Sequence, residues 1–220
     1  MTFPIYDYRT DNRNILVTPE IRARLLRLEV GEISGGSRPS RGHSHDLGHE
    51  VFLVLQGQAE FTIDGETAVV GPGQACIALV DQPHTVRNVG DEPVIYYLSV
   101  TPHIQPTHTG WTEEGEKAPP RFQPSTTYDV PPDRDTPTED LLESHLAAME
   151  TLARTTEIAR GVQRAQAAVF QDALEAEDRP AALRARNAMR EALYPMFAQM
   201  YALADAWNNL TYRTEDAESL

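Results

Sequence analysis

His43-Ser44-His45-Asp46-Leu47-Gly48-His49-Glu50-Val51-Phe52-Leu53-Val54-Leu55-Gln56-Gly57 is the stretch that decides how this chain folds. Residues two apart on a strand point to the same side, so His43 and His45 can aim both imidazoles at one point. Glu50 lies an odd number of positions beyond His45 and would fall on the opposite side of an uninterrupted strand. A bend must intervene, and Gly48 is expected to supply it through a positive φ. From Val51 to Leu55 the chain reads as a strand that ends in a turn at Gly57. Both of its faces are apolar, so the outer one should be covered by the rest of the chain or by a second subunit.

Turn signals repeat on either side of this stretch at the spacing of an all-β barrel or sandwich. Asp64-Gly65 reads as a hairpin turn between 59–63 and 66–70. Gly71-Pro72-Gly73 reverses the chain into 74–80, and Gly90-Asp91-Glu92-Pro93 reverses it into 94–100. Upstream, Leu26, Leu28 and Val30 alternate with Leu25, Arg27 and Glu29, again as a strand, and Ile15, Leu16 and Val17 form a shorter one. His84, in Asp81-Gln82-Pro83-His84, adds a further candidate ligand from a distant strand. Imidazole nitrogen mixed with carboxylate oxygen suits Mn, Fe, Co, Ni, Cu or Zn and matches Mg or Ca poorly.

These residues resemble the cupin superfamily. His43-x-His45, four residues, Glu50, six residues, Gly57 matches its first motif without a gap. Gly73, five residues, Leu79-Val80-Asp81, two residues, His84, three residues, Asn88 resembles the second. There Leu79 and Asp81 stand where a proline and a glycine are usual, and Ser37, beside Gly36, replaces the glycine that opens the first motif. These departures affect turn geometry and leave all four ligand positions filled. Covering roughly residues 20–101, the resemblance implies a double-stranded β-helix, the cupin jelly roll, followed here by an α-helical hairpin. It implies one divalent transition metal ion held by His43, His45, Glu50 and His84, with Glu50 also a catalytic proton acceptor when it leaves the metal. Similarity to the small quercetinase-like members implies a dioxygenase acting on a small oxygen-bearing organic molecule. The alternatives are non-redox isomerase or lyase chemistry at the same centre, or a non-catalytic metal- or ligand-binding module.

The organisation expected is a β-barrel domain over 1–101, an irregular Pro/Thr/Gly-rich connector over 102–135 and a helical extension over 136–212. The helices begin with a capping signature at Thr136-Pro137-Thr138-Glu139. Leu142, Leu146, Met149 and Leu152 form an apolar stripe on the first helix, and Met196, Phe197, Met200 and Tyr201 form another on the second. Gly161 is expected to divide the first helix and Pro195 to bend the second. The apolar stripes imply packing on the barrel or a homodimer interface.

The net charge of −14, from 33 acidic and 19 basic residues, argues against a nucleic-acid partner. No apolar run is long enough for a membrane span, no signal peptide is evident, and the single Cys76 fits a reducing compartment, so a cytoplasmic location is expected. Lys117 is the only lysine. Several features read more simply as structure than as chemistry. Cys76 is expected as a small core residue, His49 on the surface or behind the ligands, and His103 and His108 in a polar loop. Arg179, Arg184, Arg186 and Arg190 read as a solvated helix face. Of Phe52, Phe61, Tyr96 and Tyr97, some must point inward and line the pocket.

Overall fold

The structure is a computed structural model that describes residues 3–36 and 41–216. Ser37 lies outside the described residues. Two compact units are present, one comprising residues up to Asp133 with those from Thr211 onward, the other Arg134–Leu210.

The first unit is a sandwich of two antiparallel sheets. Its strands are β1 (Asn14–Val17), β2 (Arg22–Leu28), β3 (Ile33–Ser34), β4 (Gly42–Ser44), β5 (His49–Gln56), β6 (Ala59–Ile63), β7 (Glu66–Val70), β8 (Ala75–Ala78), β9 (His84–Asn88), β10 (Val94–Thr101) and β11 (Thr109–Trp111). One sheet has the order β1-β2-β10-β5-β8; the other runs β11-β4-β9-β6-β7, with β3 also on β9. Non-consecutive neighbours throughout are the mark of a jelly roll. The β6–β7 hairpin turns at Asp64 and Gly65, with φ of 50° and 84°, the left-handed pair that a two-residue hairpin loop requires.

Period-two alternation on β5 sends Glu50, Phe52 and Val54 inward and leaves Val51, Leu53 and Leu55 half-buried. Phe52, Phe61 and Tyr96 meet at ring-centroid distances of 5.0 to 6.2 Å, and each is at most 2% exposed. Burying each such side chain contributes roughly 2–3 kcal/mol, so this aromatic cluster anchors the two sheets. Tyr97 is only half-buried.

The bend between His45 and Glu50 is real but has another cause. The chain leaves β4 in one sheet and enters β5 in the other, so parity along a single strand does not apply. Gly48 has no positive φ. A Cβ there would stand 2.8 Å from Val100 Cγ1 and 3.0 Å from the Pro102 carbonyl oxygen, so glycine is required for close approach.

The segment expected to be an irregular connector adds β11 to the second sheet and a 3₁₀ turn at Ser125–Tyr128. The second unit is formed by α1 (Thr138–Glu175) and most of α2 (Arg179–Glu215). Pro137 itself occupies the N-cap with ψ 146° and no side-chain capping bond, which starts the helix one residue late. Both helices run unbroken through Gly161 and Pro195. His145 lies 5.7 Å from Trp207, and the Gln163 side chain donates to the Met189 carbonyl, so the helices pair antiparallel in constant register. Among the described residues no helix is long and apolar enough to cross a membrane.

Candidate metal centre

His43 and His84 are cross-strand partners where β4 meets β9, and His45 follows β4 immediately. Glu50 comes from the facing sheet. The four side chains each offer a ligand atom within 4.8 Å of the others, a grouping able to hold a metal ion. Gly42 permits this approach: its φ is +96°, and a Cβ there would lie 2.1 Å from the His84 carbonyl oxygen.

Each histidine is oriented from behind. The Nδ1–H of His43 donates to the Gly35 carbonyl at 3.1 Å, that of His45 to Thr107 at 2.5 Å and that of His84 to Gln82 at 2.9 Å. A carbonyl can only accept, so the neutral rings carry their proton on Nδ1 and turn a lone pair outward on Nε2. Those of His45 and His84 both lie 2.8 Å from the same Glu50 oxygen. Lone pairs facing a buried carboxylate oxygen are mutually repulsive unless a proton or a metal cation sits among them. This donor set therefore fits a transition metal ion on the chain's own hydrogen bonding.

The electrostatics favour a neutral His43 and an ionised Glu50, and place a proton on His84 that a metal ion would displace. Burial and the neighbouring His84 push His43 down to about 3, so it stays neutral. Burial would raise Glu50, yet His45 and His84 hold it well below the carboxylate range. For His84, burial disfavours the cation, but its hydrogen bond to Glu50 and that group's charge win and raise it.

The centre opens into a cavity of about 530 Å³ lined by Arg22, Arg24, Phe52, Tyr96, His108 and Trp111, among others. Several of these functional positions were not singled out in the sequence. His108, expected in a polar loop, stacks 4.7 Å from His43 and 4.8 Å from His45, and burial with those two rings holds it well below its ordinary pKa. Thr107 orients His45 through its carbonyl and meets the Tyr128 hydroxyl through its own. Lys117 bridges Asp46 at 3.2 Å and Asp81 at 2.6 Å, tying together the two loops that follow His45 and precede His84. Its isolation in an arginine-rich sequence was the available signal. His49 is exposed and accepts from the Val80 amide. His103 is fully buried against Tyr128 and away from the ligand group. Burial pushes the Cys76 thiol up to about 11, consistent with a packing role.

A family model described as "Cupin domain" matches residues 25–101. With the sandwich and the ligand motifs already described, this part of the chain is a cupin domain of the cupin superfamily. Among curated relatives, the chain is 33% identical over 91 residues to "Polyketide synthase CurC" of Streptomyces cyaneus, a match spanning 36% of this chain and 58% of that protein. A Klebsiella pneumoniae protein with a double-stranded β-helix domain is similar at 23% identity and TM-score 0.41, over 46% of this chain and 91% of that one. The cupin domain of an XRE family transcriptional regulator from Enterobacter cloacae is similar at 24% identity and TM-score 0.32, over 38% and 82%.

Proposed function

We propose that the cupin domain binds one divalent transition metal ion through His43, His45, Glu50 and His84 and is a dioxygenase for a small, oxygen-bearing organic molecule. The observation that carries the metal reading is the grouping of His43, His45, Glu50 and His84, whose ligand atoms all lie within 4.8 Å of one another. When bound, the metal would supply Lewis acidity and open coordination positions for substrate oxygens. Gly35, Thr107 and Gln82 hold the ligand rings at fixed angles. Phe52, Tyr96 and Trp111 give the cavity an aromatic wall that excludes water from the reacting oxygens. Glu50, the one carboxylate of this grouping among the described residues, would accept a substrate hydroxyl proton. A relative named as a polyketide synthase supports a polyphenolic or polyketo substrate, whose adjacent oxygens chelate metals. The lone Cys76 supports a cytoplasmic setting.

Oxygen uptake with a panel of polyphenolic and polyketo acids, after loading with Fe, Mn, Ni, Cu, Co or Zn, tests this reading. Uptake by the wild type that disappears in His45→Ala is expected. A second reading, non-redox conversion with the metal as Lewis acid, is favoured by the buried Arg22 and half-buried Arg24 that line the same cavity, which would stabilise an enolate. Turnover unchanged under anaerobic conditions would establish that second reading and defeat the first.

A further inference from the structure

Besides the candidate ligands, the cavity contains a second cluster of charge. Arg22, Arg24 and Leu26 are alternate residues of β2 and share its cavity face. Pairing places Arg22 opposite Val100 and Val100 opposite Glu50, so Arg22 occupies the same cross-strand row as Glu50. One row along, Arg24, Leu98 and Phe52 line up in the same way. Arg22 is 5% exposed; a guanidinium nitrogen lies 3.8 Å from Glu50, and the group sits 5.5 Å over the Tyr128 ring. The Nε–H groups of Arg22 and Arg24 are both buried without a hydrogen-bond partner. A third arginine, Arg121, lines the same cavity. Among the described lining residues one carboxylate, Glu50, stands against these three guanidiniums, and the metal reading already engages it; Asp129 acts on Arg24 from outside the lining. A protein with a net charge of −14 has therefore gathered positive charge in its cavity.

Buried guanidinium donors without partners are matched by a ligand that brings acceptors, and the planar fork suits a carboxylate in two-point contact. We propose that the cavity recognises a planar aromatic carboxylic acid, its carboxylate held by Arg24 and Arg22 and its ring lying against Phe52, Tyr96 and Trp111. Arg121, exposed at the cavity wall, adds attraction for the incoming anion. This assignment deepens the proposed function by naming the substrate class and rests on that reading only for what happens after binding.

The test is calorimetric titration of the full chain with naphthoate and with naphthamide, its neutral counterpart, before and after stripping metal with a chelator. Naphthoate is expected to bind at least about tenfold more tightly, a discrimination of about 1.4 kcal/mol, in both metal states. Arg24→Gln should abolish the discrimination, and Arg24→Lys should restore part of it. Arg24 is half-buried and is not one of the candidate ligands, so metal content should not change. Equal affinity for the two probes, or discrimination that survives Arg24→Gln, overturns the proposal. A wild type that takes up no metal yet keeps the discrimination would defeat the metal reading alone.

The helical unit carries an independent inference. Its seam residues follow a heptad, with Ala159 and Ala173 on α1 and Ala182 and Ala185 on α2 fully buried. Leu142, Leu146, Met149 and Leu174 of α1, with Leu183, Phe197 and Met200 of α2, are 36 to 62% exposed. All fall at the positions that flank the seam on one side of an antiparallel pair, and Phe170, Leu174 and Leu183 share one cavity there. From Leu142 to Leu174 this strip is roughly 50 Å long and two helices wide, on the order of 1,000 Å². A stable dimer needs about 800 Å² per partner. Charge is divided along the hairpin. Residues 138–157 and 194–210 hold six acids and one arginine, whereas 158–193 hold six arginines and five acids. We infer that a second copy of this chain covers the strip, antiparallel about a twofold axis, laying the acidic half of each hairpin on the arginine-rich half of the other.

Sedimentation equilibrium is expected to give a dimer that weakens as salt rises, with Leu146→Glu/Phe197→Glu monomeric and still folded by circular dichroism. A monomeric wild type at tens of micromolar, or a dimer that survives the double substitution, overturns this inference.

Discussion

The β unit hides polar groups and the helical unit displays apolar ones. His45, Glu50, His84 and Arg22 are at most 5% exposed inside the sandwich, whereas Leu146, Ile158 and Tyr194 are 59 to 62% exposed on the helices. Burying four ionisable groups is tolerated only if they neutralise one another or a ligand. Exposing long apolar side chains is tolerated when a partner covers them. This difference underlies the two proposals, small-molecule binding for one unit and self-association for the other.

Removing a ligand should disturb the contrast most. His84→Ala is expected to lower metal affinity by two orders of magnitude or more, read by competition with a chromophoric chelator, because it deletes a ligand outright rather than an outer partner worth ~10- to 100-fold. Helix content should not change.

The same substitution, glycine to alanine, should have opposite signs in the two units. Gly42→Ala places a Cβ 2.1 Å from the His84 carbonyl oxygen at φ +96° and should destabilise the protein by several kcal/mol, about 3 or more. Gly161→Ala meets nothing within 4 Å inside a continuous helix and should stabilise that unit by roughly 0.5–1 kcal/mol. Urea unfolding of both variants checks this pair, and a stable Gly42→Ala protein would contradict the packing described around His84.

Acidity should separate the units more gently. Glu50 raises the His84 pKa above 6.5, so without metal the protonated pair stabilises the fold below that value and is lost as pH rises through the raised one. Metal must displace this proton and gains affinity over the same interval. The increase in Tm on metal loading should therefore grow as pH rises from below 6.5 through the raised His84 pKa. An increase that shrinks over this range would be inconsistent with His84 as a ligand.

The smallest effect is expected at Lys117, about 39% exposed. Lys117→Met breaks two screened ion pairs, each worth less than ~1 kcal/mol, and should weaken metal binding only a few-fold.

The grouping of His43, His45, Glu50 and His84 and the jelly roll were legible because motif spacing and alternation encode them locally. Glu50 was correctly brought to the histidines, but for the wrong reason: two sheets meet there, and no single-strand parity can show a sheet change. The arginine pair was legible in principle, since Arg22 and Arg24 share the parity of Leu26 and Leu28. What hid it is that cavity and core lie on one continuous face. His108 and Thr107 could not be placed, because β11 joins the sheet through pairing with β4 rather than through any pattern of its own. The late helix start reflects Pro137, whose extended ψ made it the cap.

The central claim is that the chain binds one transition metal ion through these four side chains. Elemental analysis of wild type and Glu50→Gln, each loaded with metal and dialysed side by side, tests it most directly. The account predicts close to one ion per chain in the wild type and far less in Glu50→Gln, with both proteins folded. Equal metal content in the two, or none in either, would contradict it.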